Sequence, residues 1–178
     1  MLLSACMIVK NEEELLGKTL PVLSCSVDEV ILVDTGSTDA TIEIARANGA
    51  KVYSFPWVND FSAARNESLK YAQGDWIIWI DADEAIIKED MVKLKTFLGK
   101  AEKDVYSLRI YESNPDTYEK ASFYFRIKIL KNNKGIHFER PFNEQLVNSK
   151  GEVMLGDIVD SIPIYHWGTL RNEQVMQE

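Results

Sequence analysis

An apolar run leads directly into an acidic turn in the stretch Trp76-Ile77-Ile78-Trp79-Ile80-Asp81-Ala82-Asp83-Glu84. Five consecutive apolar residues without polar alternation predict a strand buried on both faces, as in a parallel sheet covered by helices. The acidic residues follow at the carboxyl end of that strand, where open α/β sheets bind their ligands. The stretch therefore predicts an α/β fold with a polar site at the end of this strand.

Toward the amino terminus, the chain alternates apolar runs with helical patterns. The apolar runs predict strands at residues 2–9, 30–33, 51–55 and 76–80. The helical patterns begin near residue 12 and cover residues 40–47, 61–72 and 88–98. Helices between buried strands are typical of a parallel sheet with right-handed crossovers. The first hundred residues are therefore expected to be Rossmann-like.

The second half of the chain has a different pattern. Residues 105–110 and 123–130 have the composition of strands, and Lys131-Asn132-Asn133-Lys134-Gly135 is typical of a hairpin loop before a strand at 136–138. We therefore expect a partly antiparallel extension of the same sheet. No repeat or linker separates the halves, which predicts a single domain over residues 1–178.

Composition narrows the class of protein. Lys and Arg number 20 against 28 Asp and Glu, a formal charge of −8, which disfavours a nucleic-acid groove because such grooves need clustered cations. No apolar stretch approaches the ~20 residues of a membrane span, and Met1-Leu2-Leu3-Ser4 lacks the basic start of a signal peptide. We therefore expect a cytoplasmic protein with reduced thiols at Cys6 and Cys25, and peripheral membrane contact stays open.

The Asp81-Ala82-Asp83-Glu84 turn carries the strongest chemical signal. Crowded carboxylates repel one another and raise their own pKa values unless a cation keeps them ionised. Two Asp at positions i and i+2 can face one site, one binding a divalent ion and the other a sugar hydroxyl or a metal-bound water. Oxygen ligands favour Mg²⁺ or Mn²⁺. The alternative is a polar turn that only caps the helix at residue 88.

A second polar turn, Asp34-Thr35-Gly36-Ser37-Thr38-Asp39, follows the strand at 30–33. It predicts a helix N-terminus with Ser37 or Thr38 as the cap, and with Asp34 in contact with a ribose or base. Capping alone is the alternative. The sequence has neither Gly-x-Gly-x-x-Gly nor a Gly-Lys-Ser/Thr loop, so a different kind of nucleotide site is needed.

Several of these segments together resemble glycosyltransferase family 2, whose members use nucleotide sugars and have the GT-A fold. The resemblance runs from Leu3 to about Gly168 and is carried by residues 4–12, by residues 33–39, by Phe61-Ser62-Ala63-Ala64-Arg65-Asn66 and by Ile80-Asp81-Ala82-Asp83-Glu84. It implies a GT-A, Rossmann-like architecture, with a mixed, mainly parallel sheet flanked by helices and a partly antiparallel C-terminal extension.

Position by position, the resemblance implies which residues hold the nucleotide sugar and the metal. Contacts to the nucleotide sugar are implied for Val9, Asn11, Glu12, Asp34, Arg65, Asp81 and Ala82. Asp83 and His166, the latter in a closing His-x-Gly pattern, are implied as ligands of Mn²⁺ or Mg²⁺. The residues themselves leave open an ordinary surface pairing of Arg65 with Glu67 or Asp60, and a structural role for His166.

The segment Arg140-Pro141-Phe142-Asn143-Glu144-Gln145-Leu146 resembles one that, in a bacterial branch of the family, often carries His-Glu before Gln-Leu. Asn143 stands where that branch has His. Glu144 is therefore the candidate base for the acceptor hydroxyl, a role that requires reach to the attacking oxygen and partial burial. The alternative for Glu144 is a surface loop carboxylate. The Gln-x-x-Arg-Trp motif of processive synthases is absent, which favours a single sugar addition.

The implied activity is metal-dependent, inverting transfer of one hexose-type sugar from a nucleotide diphosphate sugar, UDP-sugar foremost. The acceptor is a hydroxyl on an unknown saccharide, lipid or protein. Residues 1–100 would bind the nucleotide sugar, and residues 101–178 would form the acceptor and catalytic half, with a variable acceptor loop at 111–122.

Two alternatives remain from the sequence. One is a degenerate domain that binds nucleotide sugar without turnover. The other is a nucleotidyltransferase, which the missing Gly-rich, Lys-bearing loop disfavours. Residues 171–178 have helical composition without a stop signal, so continuation of the natural protein beyond them also stays open.

Overall fold

The computed structural model describes residues 1–114 and 120–168. Its strands are β1 (Leu3–Val9), β2 (Glu29–Asp34), β3 (Lys51–Ser54), β4 (Trp76–Trp79), β5 (Glu84–Ala85), β6 (Val105–Ser113), β7 (Lys120–Lys131), β8 (His137–Glu139), β9 (Gln145–Val147) and β10 (Asp157–His166). Its helices are α1 (Glu13–Ser24), α2 (Thr41–Ala47), α3 (Phe61–Leu69) and α4 (Lys88–Leu98). The alternation of strand and helix predicted for the first half is confirmed.

One sheet runs through both halves of the chain. Its strand order is β3-β2-β1-β4-β7-β6-β10-β5, and the first four of these strands are parallel. All four residues of β4 are buried, as expected for a parallel strand covered on both faces. Cys6 of β1 is paired with Trp79 of β4, so the acidic turn after β4 emerges beside the end of β1.

The second half extends this sheet with mixed polarity. β7 runs antiparallel to both β4 and β6, β10 is parallel to β6, and β5 is antiparallel to β10. The predicted mixed, mainly parallel sheet with a partly antiparallel extension is therefore confirmed. β10 brings the chain back to the acidic turn, because His166 is paired with Glu84 of β5.

A β-bulge interrupts β7 where it pairs with β6. Tyr106 lies opposite Ile129 and the next residue, Ser107, lies opposite Ile127, so Lys128 is the extra residue of β7. A bulge bends its strand and redirects the side chain of the inserted residue. The Lys128 side chain is fully buried, which makes it a rare kind of lysine and a candidate for a specific role.

The hairpin predicted around residues 131–135 is wrong. β8 pairs with β9 in a separate two-stranded sheet and not with β7. A side chain on α3 is also hydrogen-bonded to β8. The Asn66 amide donates to the carbonyl of Phe138 and accepts from its N–H, each at 2.8 Å. The turn at Gly135, with φ of +69°, directs the chain toward that partner.

The predicted cap of the second helix is also wrong. α2 begins after Ala40, without a capping bond from Ser37 or Thr38. The Asp39 carboxylate instead accepts hydrogen bonds from the N–H of Thr41 at 3.0 Å and from its hydroxyl. The polar turn after β2 therefore shapes a loop before the helix starts.

Other boundaries differ less from the predictions. α3 ends at Leu69, three residues before the predicted end, and its start is capped by Asp60, which accepts from the N–H of Ala63 at 2.9 Å. The predicted acceptor loop at 111–122 begins and ends inside the paired strands β6 and β7, while its centre lies outside the described residues, as do residues 171–178. None of the described helices combines the length and apolarity needed to cross a membrane.

Candidate active site

A first cavity of about 330 Å³ opens at the carboxyl ends of β1 and β4. Seven of the residues that the sequence singled out line it: Val9, Glu12, Arg65, Asp81, Ala82, Asp83 and His166. The strand-end rule explains the convergence of the residues at the ends of β1, β4 and β10, since these strands deliver them to the same edge of the sheet, whereas Arg65 comes from helix α3. Trp57 and Phe61 add an aromatic wall, with ring centroids 4.7 Å apart.

Two other predicted residues lie beside this cavity but do not line it. Asn11 has a left-handed backbone, with φ of 53°, and its side chain accepts a hydrogen bond from the N–H of Thr38 at 2.8 Å. Asp34 is buried, and its carboxylate accepts from the N–H groups of Gly36 and Ser37. The Asn11 side chain therefore fastens the loop after β2 to the end of β1, and the Asp34 side chain holds the turn at the start of that loop.

The Asp81 carboxylate is balanced by cations of the chain itself. Its Oδ1 lies 3.5 Å from Nη1 of Arg65, and its Oδ2 lies 3.3 Å from Nζ of Lys128. Burial raises the pKa of Asp81, but the charges of Lys128 and Arg65 outweigh it and lower the pKa to about 2. The crowding of carboxylates inferred from the sequence is therefore relieved at this position without an added ion.

Lys128 and Glu84 form a buried pair beneath the turn. Nζ of Lys128 donates to Oε2 of Glu84 at 2.5 Å, and that oxygen also accepts from the N–H of Asp81 at 2.9 Å. Glu84 is 2% exposed. Burial of two charges is tolerated only where each one is paired and hydrogen-bonded. The pair consequently fixes the backbone of the turn, and with it the direction of the Asp81 side chain.

His166 links the carboxylates of Asp83 and Glu112. Its Nε2 lies 3.2 Å from Oδ2 of Asp83, and its Nδ1 lies 3.0 Å from Oε2 of Glu112. The hydrogen bond to Asp83 raises the pKa of His166 to about 9, helped by Glu112 and opposed by burial. A second contact joins the same segments, because the N–H of Trp167 donates to the carbonyl of Asp83 at 2.9 Å.

Asp83 and His166 offer two ligands to a divalent ion, which is fewer than a complete site needs. Within residues 1–114 and 120–168, no three His, Cys, Asp or Glu side chains form a complete ion site. A carboxylate and an imidazole that meet at 3.2 Å can still supply two ligands to an ion completed by a substrate. Glu112 on Nδ1 leaves Nε2 directed at Asp83, which is the usual support of a metal-binding histidine.

A second cavity of about 360 Å³ adjoins the first and contains Glu144. Arg65 and Asp81 line both cavities. Nε of Arg65 donates to Oε1 of Glu144 at 2.9 Å, and its guanidinium carbon lies 4.4 Å from the centre of the Trp79 ring. The Glu144 side chain is only 18% exposed, so the alternative of a free surface carboxylate is wrong.

The alternative surface pairings of Arg65 are wrong as well. Asp60 caps α3, and Glu67 pairs with Lys70 and Tyr71. Arg65 is therefore free to span the boundary of the two cavities. Asn143, which stands where the related branch has His, adopts a left-handed conformation with φ of 52°, which asparagine tolerates better than most residues.

Sequence reasoning missed Lys128, Glu112 and Arg126, although all three lie at the site. Lys128 and Arg126 line the second cavity, and Glu112 holds His166. Each sits within or beside a predicted strand, where alternating charge indicates only a solvated face. The one signal available was a lysine in an otherwise apolar run at 127–130, which is compatible with a buried charge.

Comparison with known proteins places the chain in a family. The model of "Glycosyl transferase family 2" matches residues 4–159. A TPR repeat-containing protein of Synechococcus elongatus is 40% identical over 148 residues, which cover 82% of this chain and 36% of that protein. The SPbeta prophage-derived glycosyltransferase SunS of Bacillus subtilis is 30% identical over 167 residues, which cover 90% of this chain and 38% of that protein. The chain thus spans less than two fifths of the length of these relatives.

Solved structures agree with the sequence matches. S. aureus TarS 1–349 has a TM-score of 0.68 at 20% identity, covering 99% of this chain and 63% of that chain, which shows a shared fold. The same protein in complex with UDP-GlcNAc has a TM-score of 0.55 at 26% identity, covering 68% and 37%. Glucosyl-3-phosphoglycerate synthase from Mycobacterium tuberculosis, in complex with Mg²⁺ and UDP, has a TM-score of 0.54 at 27% identity, covering 61% and 43%. The predicted GT-A fold is confirmed, and the chain belongs to glycosyl transferase family 2.

Proposed function

We propose that this chain is the catalytic domain of an inverting, metal-dependent glycosyltransferase that moves one sugar from a UDP-sugar to an acceptor hydroxyl. The observation that carries the proposal is the shared wall of the two cavities, where Arg65 and Asp81 face both sides. A donor in the first cavity and an acceptor in the second would meet at that wall. TarS bound to UDP-GlcNAc and the mycobacterial synthase bound to UDP support the choice of donor.

Within this proposal the first cavity holds the nucleotide sugar. Val9, Glu12 and Ala82 line its walls, and Asp81, ionised at neutral pH, accepts a hydrogen bond from a ribose or sugar hydroxyl. The guanidinium of Arg65 lies within reach of a diphosphate placed there, and Arg is well suited to bind one.

Asp83 and His166 are the residues that would hold Mg²⁺ or Mn²⁺ in this site. The mycobacterial synthase has been crystallised with UDP and either ion, which supports this choice of metal. When bound, such an ion supplies Lewis-acid stabilisation of the negative charge that develops on the leaving diphosphate. Glu112 contributes by keeping Nε2 of His166 turned toward Asp83.

Glu144 is the proposed base. Its carboxylate takes the proton of the acceptor hydroxyl while that oxygen bonds to the anomeric carbon from the face opposite the diphosphate. The bond between the anomeric carbon and the diphosphate oxygen breaks with its electrons, so the products are the glycoside, UDP and a proton that Glu144 passes to solvent. Arg65 orients Glu144 through the 2.9 Å hydrogen bond.

The proposed division of labour follows the two cavities. Residues 1–100 carry most of the first cavity, and residues 101–178 carry Glu144, Lys128 and His166. We therefore propose a single transferase domain over residues 1–178, with a donor half and an acceptor half. Because the chain spans 36–38% of its relatives, the activity of the whole protein is part of this proposal.

The test is a transfer assay with a panel of UDP-sugars, Mn²⁺ and mixed acceptors, read by mass spectrometry and by NMR of the anomeric proton. An α-linked donor sugar is expected to appear β-linked in the product. Glu144→Gln should slow transfer by about 100-fold or more and leave UDP binding intact. Glu139→Gln is the control, because the Glu139 side chain is exposed. Retained transfer in Glu144→Gln, or a retained anomeric configuration, would contradict the mechanism.

A further inference from the structure

One cationic side chain of the second cavity lies outside the ion pairs of the acidic turn. The positive charges of Arg65 and Lys128 are engaged by Asp81, Glu84 and Glu144. Arg126 also lines this cavity; its charge helps to lower the pKa of Asp81, but its guanidinium forms no direct ion pair with a carboxylate in the described part of the chain. Its guanidinium lies over the face of Tyr124, at 5.6 Å from the ring centre.

A buried hydrogen-bond donor on the wall of the same cavity also lacks a partner. Trp79 is 2% exposed, and its Nε1 is inaccessible to solvent. This N–H finds no acceptor among residues 1–114 and 120–168. A buried N–H without an acceptor costs about 1–3 kcal/mol, but this atom is closed to solvent and therefore offers no contact to a ligand in the cavity. Two amide side chains, Asn143 and Gln145, also line the cavity and can donate or accept.

The size of the cavity limits its ligand. Ligand sites in proteins usually measure about 300–1,000 Å³, and this one, at about 360 Å³, lies at the small end. At ~30 Å³ per water molecule, the space equals about twelve waters, which is more than enough for a molecule of monosaccharide size. Aromatic walls from Trp79 and Phe138 suit the apolar face of a small ring or carbon chain.

We propose that the second cavity binds an acceptor of monosaccharide size that carries a carboxylate or phosphate group, and that Arg126 is the residue that recognises this anion. The proposal rests on the proposed function, since it names the acceptor class of the same site. The hydroxyl that is to be glycosylated lies at the Glu144 end, and the anion lies at the Arg126 end. The amides of Asn143 and Gln145 bind oxygens between them.

The anion is the part of the ligand that decides specificity. An unpaired guanidinium attracts a carboxylate or phosphate and can bind either in a bidentate way, whereas a neutral polyol gains little from it. Arg126 is exposed at the mouth of the cavity, so this attraction is screened by salt. The preference for an anion is therefore expected to weaken as ionic strength rises.

Two matched pairs of probes test the proposal, glucuronate against glucose and glycerol 3-phosphate against glycerol. Binding of each is measured by ligand-observed NMR on the full chain, with UDP and Mn²⁺ present so that the anion-binding groups of the first cavity are occupied. At least one anionic member is expected to bind roughly 10- to 100-fold more tightly than its neutral partner. The carboxylate and phosphate arms show which anion is preferred.

Three variants make the readout specific. Arg126→Ala should remove the preference for the anion, and Arg126→Lys should restore part of it. Arg109→Ala is the control, because Arg109 lies on the opposite face of the same sheet, paired with Asp160. Equal binding of anionic and neutral probes, or an anion preference that persists in Arg126→Ala, overturns the proposal.

The same experiment separates this inference from the proposed function. An Arg126-dependent anion site in a protein that transfers no sugar from any UDP-sugar would support the anion site and contradict the transferase. Transfer with equal efficiency to the neutral and anionic member of each pair would support the transferase and contradict the anion site.

Discussion

Replacement of Arg65 tests the link between the two cavities. In Arg65→Met the side chain keeps its apolar contact with Trp79 but loses the 2.9 Å hydrogen bond to Glu144 and the 3.5 Å contact with Asp81. A charged hydrogen bond is worth about 1.5–3 kcal/mol, and the lower value applies here because Glu144 is 18% exposed. The longer contact adds little, and the loss of the cation over the Trp79 ring adds about 1 kcal/mol.

The expected loss is therefore about 2–3 kcal/mol of unfolding free energy. For a chain of 178 residues this corresponds to a fall in Tm of about 5–10 °C, which differential scanning calorimetry resolves easily. Transfer should fall by about 100-fold or more, because the base loses its positioning partner. Arg65→Lys should recover much of the stability but little of the rate, since one ammonium cannot reproduce both contacts.

Arg46→Met provides the control, because Arg46 lies on the exposed side of α2 and has no ion pair within the described part of the chain. Its Tm should stay within about 2 °C of the wild type. The reasoning would be refuted by an Arg65→Met protein with wild-type Tm and wild-type transfer. A loss of stability with full transfer would leave Arg65 a structural residue only.

Three further changes test individual contacts. Lys128→Met should lower the free energy of unfolding, measured by urea denaturation, by about 3–5 kcal/mol, because it leaves Glu84 buried without its cation. Adding Glu84→Gln should recover part of that loss. An equal or greater loss in the double variant would contradict the pairing. Gly168→Ala would place a Cβ 2.6 Å from both Nε2 of His166 and Oδ2 of Asp83. Mn²⁺ affinity measured by calorimetry should therefore fall by about tenfold or more, and unchanged affinity would remove this pair of side chains from the metal site. Gly17→Ala, inside α1 with no atom within 4 Å of the new Cβ, should raise unfolding free energy by about 0.5–1 kcal/mol, and destabilisation would show that the site is not open.

The parallel half of the fold was predictable because its information is local. Runs such as residues 76–80 are apolar without alternation, and each is followed by a helical pattern. The strand-end rule then brought Glu12 and Asp83 to one cavity without any knowledge of long-range contacts. Arg65, which lies on α3, came from the resemblance to the family. The resemblance to the family added His166, which comes from a distant strand.

The contacts that the sequence did not reveal are long-range or depend on backbone irregularity. Arg65 and Glu144 are 79 residues apart, and surface neighbours such as Glu67 offered simpler pairings. Lys128 reaches the acidic turn because a bulge redirects it, and no pattern of hydrophobicity encodes a bulge. The hairpin prediction was wrong because β8 pairs with β9 and is also hydrogen-bonded to Asn66 of α3, and these distant partners leave no signal in the turn residues.

The central claim is a metal-dependent nucleotide site at the carboxyl ends of β1 and β4, and calorimetric titration of the chain with UDP tests it most directly. The titration is run with and without Mn²⁺ on the wild type, on Asp83→Ala and on Asp157→Ala, an exposed Asp far along the chain from the acidic turn. The account predicts that Mn²⁺ tightens UDP binding by about tenfold or more in the wild type and in Asp157→Ala, and that Asp83→Ala loses this gain. Absence of UDP binding at saturating Mn²⁺, or an equal gain in Asp83→Ala, would contradict it.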